Sequence, residues 1–151
     1  ALALFQKLAM TETDEDLRSQ ALMSIGGMKS KESMASLKAV LAGAKNEEVR
    51  RETLMAIGEF GGAEAESILL AAALAEKDED TAQTAVEALN EATGESNPAL
   101  FLRIFWEGKI RQVREAALSI IAESKGKAAV QTLSELLGKE REFGPPGEEE
   151  P

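Results

Sequence analysis

The sequence predicts an all-α protein: a right-handed α-α superhelix of stacked helix pairs, about four and a half repeats of 32 residues. Three observations predict it. The dipeptides Leu17-Arg18, Val49-Arg50, Thr81-Ala82 and Val113-Arg114 recur every 32 residues without an insertion. Apolar columns hold at that spacing: Leu22, Leu54, Val86 and Leu118; Ile25, Ile57, Leu89 and Ile121; Phe5, Leu37, Leu69, Phe101 and Leu133; Leu8, Val40, Ala72, Ile104 and Leu136. Each unit contains two stretches with helical apolar spacing, bounded by cap-forming residues. Neither helix can bury its apolar stripe alone, so stacked neighbours must supply one continuous core.

The elements follow in order. Residues 1–10 make a first outer helix with Leu2, Phe5 and Leu8 inward. The start, ALALFQKLAM, lacks a basic leader and a cleavage site, so it reads as a repeat helix, not a signal peptide. The first inner helix spans 14–27, and Gly26-Gly27 weakens its end. The second pair spans 31–43 and 47–60. In its inner helix Val49, Thr53, Ile57 and Phe60 share a face that Leu54 and Ala56 widen. The third pair spans 63–75 and 79–92. The fourth spans 98–107, opened by Asn97-Pro98, and 111–123. A final outer helix at 127–137 has no inner partner. Asp14, Asn46 and Asp78 stand where N-caps are needed. In the column Ser30, Gly62, Gly94 and Gly126, the glycines are placed to end the inner helices. The repeats occupy 1–138, and the Pro/Gly-containing acidic stretch 139–151 reads as a flexible tail that can also fold back over the last repeat. The chain lacks an initiator Met and its first helix lacks a polar cap, from which we expect the natural protein to continue before residue 1 as part of a longer chain or assembly.

The stretches LRSQALMSIG, VRRETLMAIGEFG and VREAALSIIAESKG resemble the second helix of a HEAT repeat, in the short bacterial form also called the bilin-lyase HEAT-like repeat. The resemblance runs through nearly the whole chain. It implies that the second helices line a concave face and bind proteins there. It places the family's arginine on Arg18, Arg50 and Arg114, and the acidic partner four residues earlier on Asp14, Asn46 and Asp78. Such pairs imply a ladder between repeats, interrupted where Ala82 and Ile110 replace the arginine and the acid.

Composition removes whole classes of function. The net charge is −10, from 27 acids against 17 bases, with no basic stripe, so nucleic acid is not an expected partner. The hydrophobic fraction of 44% suits a packed domain, and no apolar run reaches the length of a membrane span. Cysteine and histidine are absent, which rules out disulfides, thiolate or imidazole metal sites, and Ser–His or Cys–His catalysis. A cytoplasmic location fits this composition. The many carboxylate pairs carry no catalytic specificity in so glutamate-rich a helical chain, and Gly61-Gly62 is a helix end, not a phosphate loop. HEAT-like hydroxylases need His–Glu pairs, and HEAT-like DNA glycosylases need a basic groove; this chain has neither. No catalytic residue, metal or cofactor is expected. An accessory subunit of a bilin lyase, and a purely structural spacer, remain as alternatives.

The leading expectation is a protein-binding scaffold or adaptor. On each inner helix, the positions opposite the buried arc read Ser19, Met23, Gly27; Arg51, Met55, Glu59; Gln83, Glu87, Glu91; and Glu115, Ser119, Glu123. Methionine adapts to varied surfaces, and lined carboxylates attract a basic segment. The same spacing also describes an ordinary solvated helix face. A second candidate is the outer helix of repeat 4, where Leu100, Leu102 and Trp106 add to the core columns as a possible apolar patch, or are buried by local repacking.

Overall fold

The computed structural model describes residues 1–93, 97–124 and Ser134. The final outer helix expected at 127–137 (apart from Ser134), the 139–151 tail, Gly94 and Gly126 lie outside the described residues. Among the described residues there are eight helices and no strand. Four are outer: α1 (Leu2–Thr11), α3 (Lys31–Gly43), α5 (Gly62–Ala75) and α7 (Pro98–Glu107). Four are inner: α2 (Glu15–Met28), α4 (Glu47–Phe60), α6 (Glu79–Thr93) and α8 (Arg111–Glu123). Each outer helix packs on the inner helix that follows it, and the pairs stack as an α-α solenoid.

The core sits between the two layers. Leu22, Ile25, Leu37, Leu54, Ile57, Leu69, Val86, Leu89, Phe101, Ile104 and Ile121 are fully buried. Each such side chain contributes about 1.5–3 kcal/mol of burial. Leu118 on α8, in the same column as Leu22, is 36% exposed. Phe5 and Leu8 are half-buried on the first outer helix, and Leu4 beside them is exposed.

Two boundaries differ from expectation. Gly62 does not end α4; Gly61, at φ +74°, is the cap, and Gly62, at φ +86°, is the first residue of α5. Ser30 likewise begins a helix. Its hydroxyl accepts the Ser33 N–H at 3.0 Å while Ser33 Oγ accepts the Ser30 N–H at 2.8 Å, a reciprocal cap at the start of α3. Gly26 and Gly27, each unfavourable in a helix, do not end α2. The helix runs through both to Met28 and stops where Lys29 turns left-handed at φ +55°.

The glycine at 26 is there for packing. A Cβ on Gly26 would lie 2.6 Å from the Ala56 carbonyl oxygen. One repeat later, a Cβ on Gly58 would lie 2.8 Å from the Ala88 carbonyl oxygen. These glycine–alanine contacts let α2, α4 and α6 approach backbone to backbone. The outer helices pack far less on one another, and α3 and α5 barely touch. A stack whose inner layer is tight and whose outer layer is splayed bends toward the inner layer. The inner helices therefore line the concave face.

Candidate partner-binding face

The inner helices are anchored at their N-terminal ends. The side chains of Asp14, Asn46 and Asp78 accept the N–H groups of Leu17 (3.1 Å), Val49 (2.9 Å) and Thr81 (3.0 Å). The Thr81 backbone N–H and then its hydroxyl hold the Asp78 carboxyl below the usual carboxylate range. One turn on, Arg50 donates to the Leu41 carbonyl at 3.2 Å and Arg114 to the Phe105 carbonyl at 2.9 Å; Arg18 donates to the Glu12 carbonyl at 3.3 Å. These carbonyls lie at the C-terminal end of the preceding outer helix, where a guanidinium is favourable. Arg114 also stacks over the Phe105 ring, 4.8 Å from its centroid.

The arginines also reach the next repeat, but not to the acids expected. Arg18 pairs with Glu52 at 2.6 Å and Glu48 at 2.8 Å on α4, and Arg50 pairs with Glu76. Asp14 and Asn46 are occupied in capping their own helices, so glutamates take their place in the ladder. Asp78 does both, capping α6 and lying 3.4 Å from Arg51. Between α6 and α8 the contact is neutral, Gln112 donating to Gln83. Around Arg18, carboxylate oxygens of Glu15, Glu48 and Glu52 lie within 4.8 Å of one another. Repulsion from Glu48, then a hydrogen bond shared with it, raises the Glu15 pKa. The guanidinium of Arg18 is already the cation of that cluster.

The concave positions divide into two sets. Three of the four nearest the N-termini are used internally: Arg51 on Asp78 and Thr81, Gln83 on Glu87 and Gln112, Glu115 on Arg111 at 3.0 Å. Arg51 and Glu115 are thus engaged within the protein. The remaining positions converge. Met23 (38% exposed), Met55 (54% exposed), Glu87 and Glu91 line one cleft of about 130 Å³ across α2, α4 and α6, with Ala88. Glu59 on α4 and Glu123 on α8 are exposed. Glu59, Glu91 and Glu123 are in no ion pair among the described residues.

The outer face of repeat 4 is not an open apolar patch. Leu102 is 9% exposed, and Leu100 and Trp106 are half-buried against the core, Trp106 edge-on to Phe105 at 5.3 Å. The wider apolar arc of α7 is absorbed by packing. The Trp106 Nε1 is buried without a partner among the described residues. A larger cleft, about 680 Å³, opens beside Met10, Arg18, Lys45 and Asn46 at the turns of repeats 1 and 2. Its size exceeds that of the concave cleft, but Arg18 and Asn46 are already committed to Glu48, Glu52 and the α4 cap.

A sequence profile of HEAT repeats matches residues 2–90, well over half of the chain. The chain belongs to the HEAT-repeat family. Beyond the match, α7 and α8 continue the same columns through Phe101, Ile104 and Ile121. No curated protein matches the chain. HEAT repeats are generally protein-interaction scaffolds and typically non-catalytic. In this HEAT-repeat chain no helix among the described residues is long and apolar enough to cross a membrane.

Proposed function

We propose that the chain is a protein-binding scaffold whose concave face takes a basic, partly apolar segment of a partner protein. The observation that carries this reading is the shared cleft of Met23, Met55, Glu87 and Glu91, drawn from three successive inner helices. Methionine offers an adaptable apolar contact, and the carboxylates offer both attraction at a distance and charge-assisted hydrogen bonds on arrival. The rigid stack loses little conformational freedom on binding, so modest contacts suffice. The chain's charge of −10 favours encounter with a basic partner and rejects polyanions.

The test is affinity capture of the binding partner by the full chain, at low and at raised salt, beside a Glu87→Lys, Glu91→Lys, Glu123→Lys version. A partner lost under both changes supports the concave face, since exposed charges are screened within about 8–10 Å at these ionic strengths. A partner retained through both moves binding off this face.

A further inference from the structure

We infer that the partner segment crosses the inner helices in an extended, polyproline-like conformation, one contact residue per repeat: apolar side chains over α2 and α4, a cation over α6 and another over α8. This rests on the proposed binding of a basic segment and specifies its shape and register.

Two parallel rows define the track. One runs Met23, Met55, Glu87; the other runs Glu59, Glu91, Glu123. Within a helix the rows are four residues apart, about 6 Å along the axis. That width suits a single extended chain, since neighbouring extended chains sit about 4.8 Å apart. It is about half the 10–12 Å diameter of a helix. Along the stack, the step between packed helices is about 8–10 Å. The Gly26–Ala56 and Gly58–Ala88 backbone contacts hold the first two steps at the short end of that range. A polyproline helix rises about 3.1 Å per residue with three residues per turn, so every third side chain returns to the same face after about 9 Å. A β-strand over the same distance would turn alternate contacts away from the surface.

The chemistry changes along the track in a fixed order. The first row is a thioether over α2 and α4 and a carboxylate over α6; the second row is a carboxylate over α4, α6 and α8. The cleft beside Met23 and Met55 has the volume of about four water molecules, enough for one aliphatic side chain. The carboxylates of Glu91 and Glu123 are unpaired among the described residues, and Glu87 accepts a single amide N–H, from Gln83 at 3.2 Å. An incoming ammonium or guanidinium therefore displaces no existing ion pair.

The experiment is a fluorescence-anisotropy titration of the full chain at low ionic strength with the labelled peptide Leu-Pro-Pro-Leu-Pro-Pro-Lys-Pro-Pro-Lys. Its controls carry the same four contact residues separated by one or by three prolines. A further control is a helix-forming peptide with the same contact residues seven apart. The expected result is binding of the three-spaced peptide about fivefold or more tighter than every control, abolished by Glu91→Lys. Equal binding of all spacings, weakened throughout by Glu91→Lys, overturns the extended register and leaves the acidic face standing as the binding site. Preference for the seven-spaced helix overturns it in favour of a helical partner. Failure of every peptide to bind overturns the register together with the proposed function.

Discussion

Gly26 and Gly27 are neighbours in one helix, yet replacing each by alanine should move stability in opposite directions. Both replacements gain helix propensity, at most about 1 kcal/mol and less near a helix end. They differ in what the new methyl group meets. At Gly27 there is no atom within 4 Å. At Gly26 the methyl would lie 2.6 Å from the Ala56 carbonyl oxygen, backbone that cannot swing aside as a side chain would. Forcing a methyl into such a contact costs about 1–3 kcal/mol. Gly27→Ala is therefore expected to stabilise by about 0.5 kcal/mol. Gly26→Ala should fall below it by about 1–3 kcal/mol. For a chain of this size that is a gap of about 3–9 °C in Tm. Gly58→Ala, with the Ala88 oxygen at 2.8 Å, should behave like Gly26→Ala. Thermal and urea unfolding followed by far-UV circular dichroism measures all three. If Gly26→Ala stabilised as much as Gly27→Ala, the close approach of α2 and α4, and the argument for curvature built on it, would be wrong.

Two further outcomes follow from the arginine ladder. Arg18→Ala should cost about 2–3 kcal/mol in urea unfolding, because it strips the partner from a mostly buried Glu52 as well as removing the Glu12 carbonyl contact; a loss below about 0.5 kcal/mol would mean the ion pairs are solvated. Glu15→Gln should raise Tm at neutral pH. The pKa of Glu15 is raised by Glu48, so its contribution is favourable at low pH and is lost as pH rises through that raised value. The advantage of the glutamine should therefore shrink as pH falls into the ordinary carboxylate range, near about 4. The pKa of Asp78 is lowered, and the stability it supplies is lost only as pH falls below that range, so the Glu15 effect is best read above it. An advantage independent of pH would contradict the repulsion between Glu15 and Glu48.

The helix pairs were legible because a 32-residue period multiplies weak local signals into columns. Leu22 and Ile25 alone suggest little; four copies in register fix a core. Asp14, Asn46 and Asp78 were legible as caps because capping depends only on neighbours three residues on. The partners of Arg18 were not. Glu48 and Glu52 lie 30 and 34 residues away, and choosing them over Asp14 or Asn46 requires the offset between stacked helices. The packing role of Gly26 was hidden for the same reason: a glycine that admits a neighbouring backbone looks like any other helical glycine until Ala56 is in place. On the concave face, spacing identified Met23, Met55, Glu87 and Glu91 as neighbours. It did not show that Arg51 is bound to the α6 cap, or that Leu102 is buried.

The reach of these tertiary bonds has a consequence for how the chain folds. Among the described residues, the longest hydrogen bonds, Arg18 to Glu52 and Thr81 to Glu47, bridge only 34 residues. Loop-closure entropy grows with the logarithm of loop length, so each repeat interface closes at a similar, small entropic cost. Contacts this local place the chain at the fast end of folding rates. Any adjacent pair of repeats can nucleate, and growth proceeds to either side by adding one helix pair at a time. The two ends of the stack need never meet, and each new pair is templated by the last one already in place.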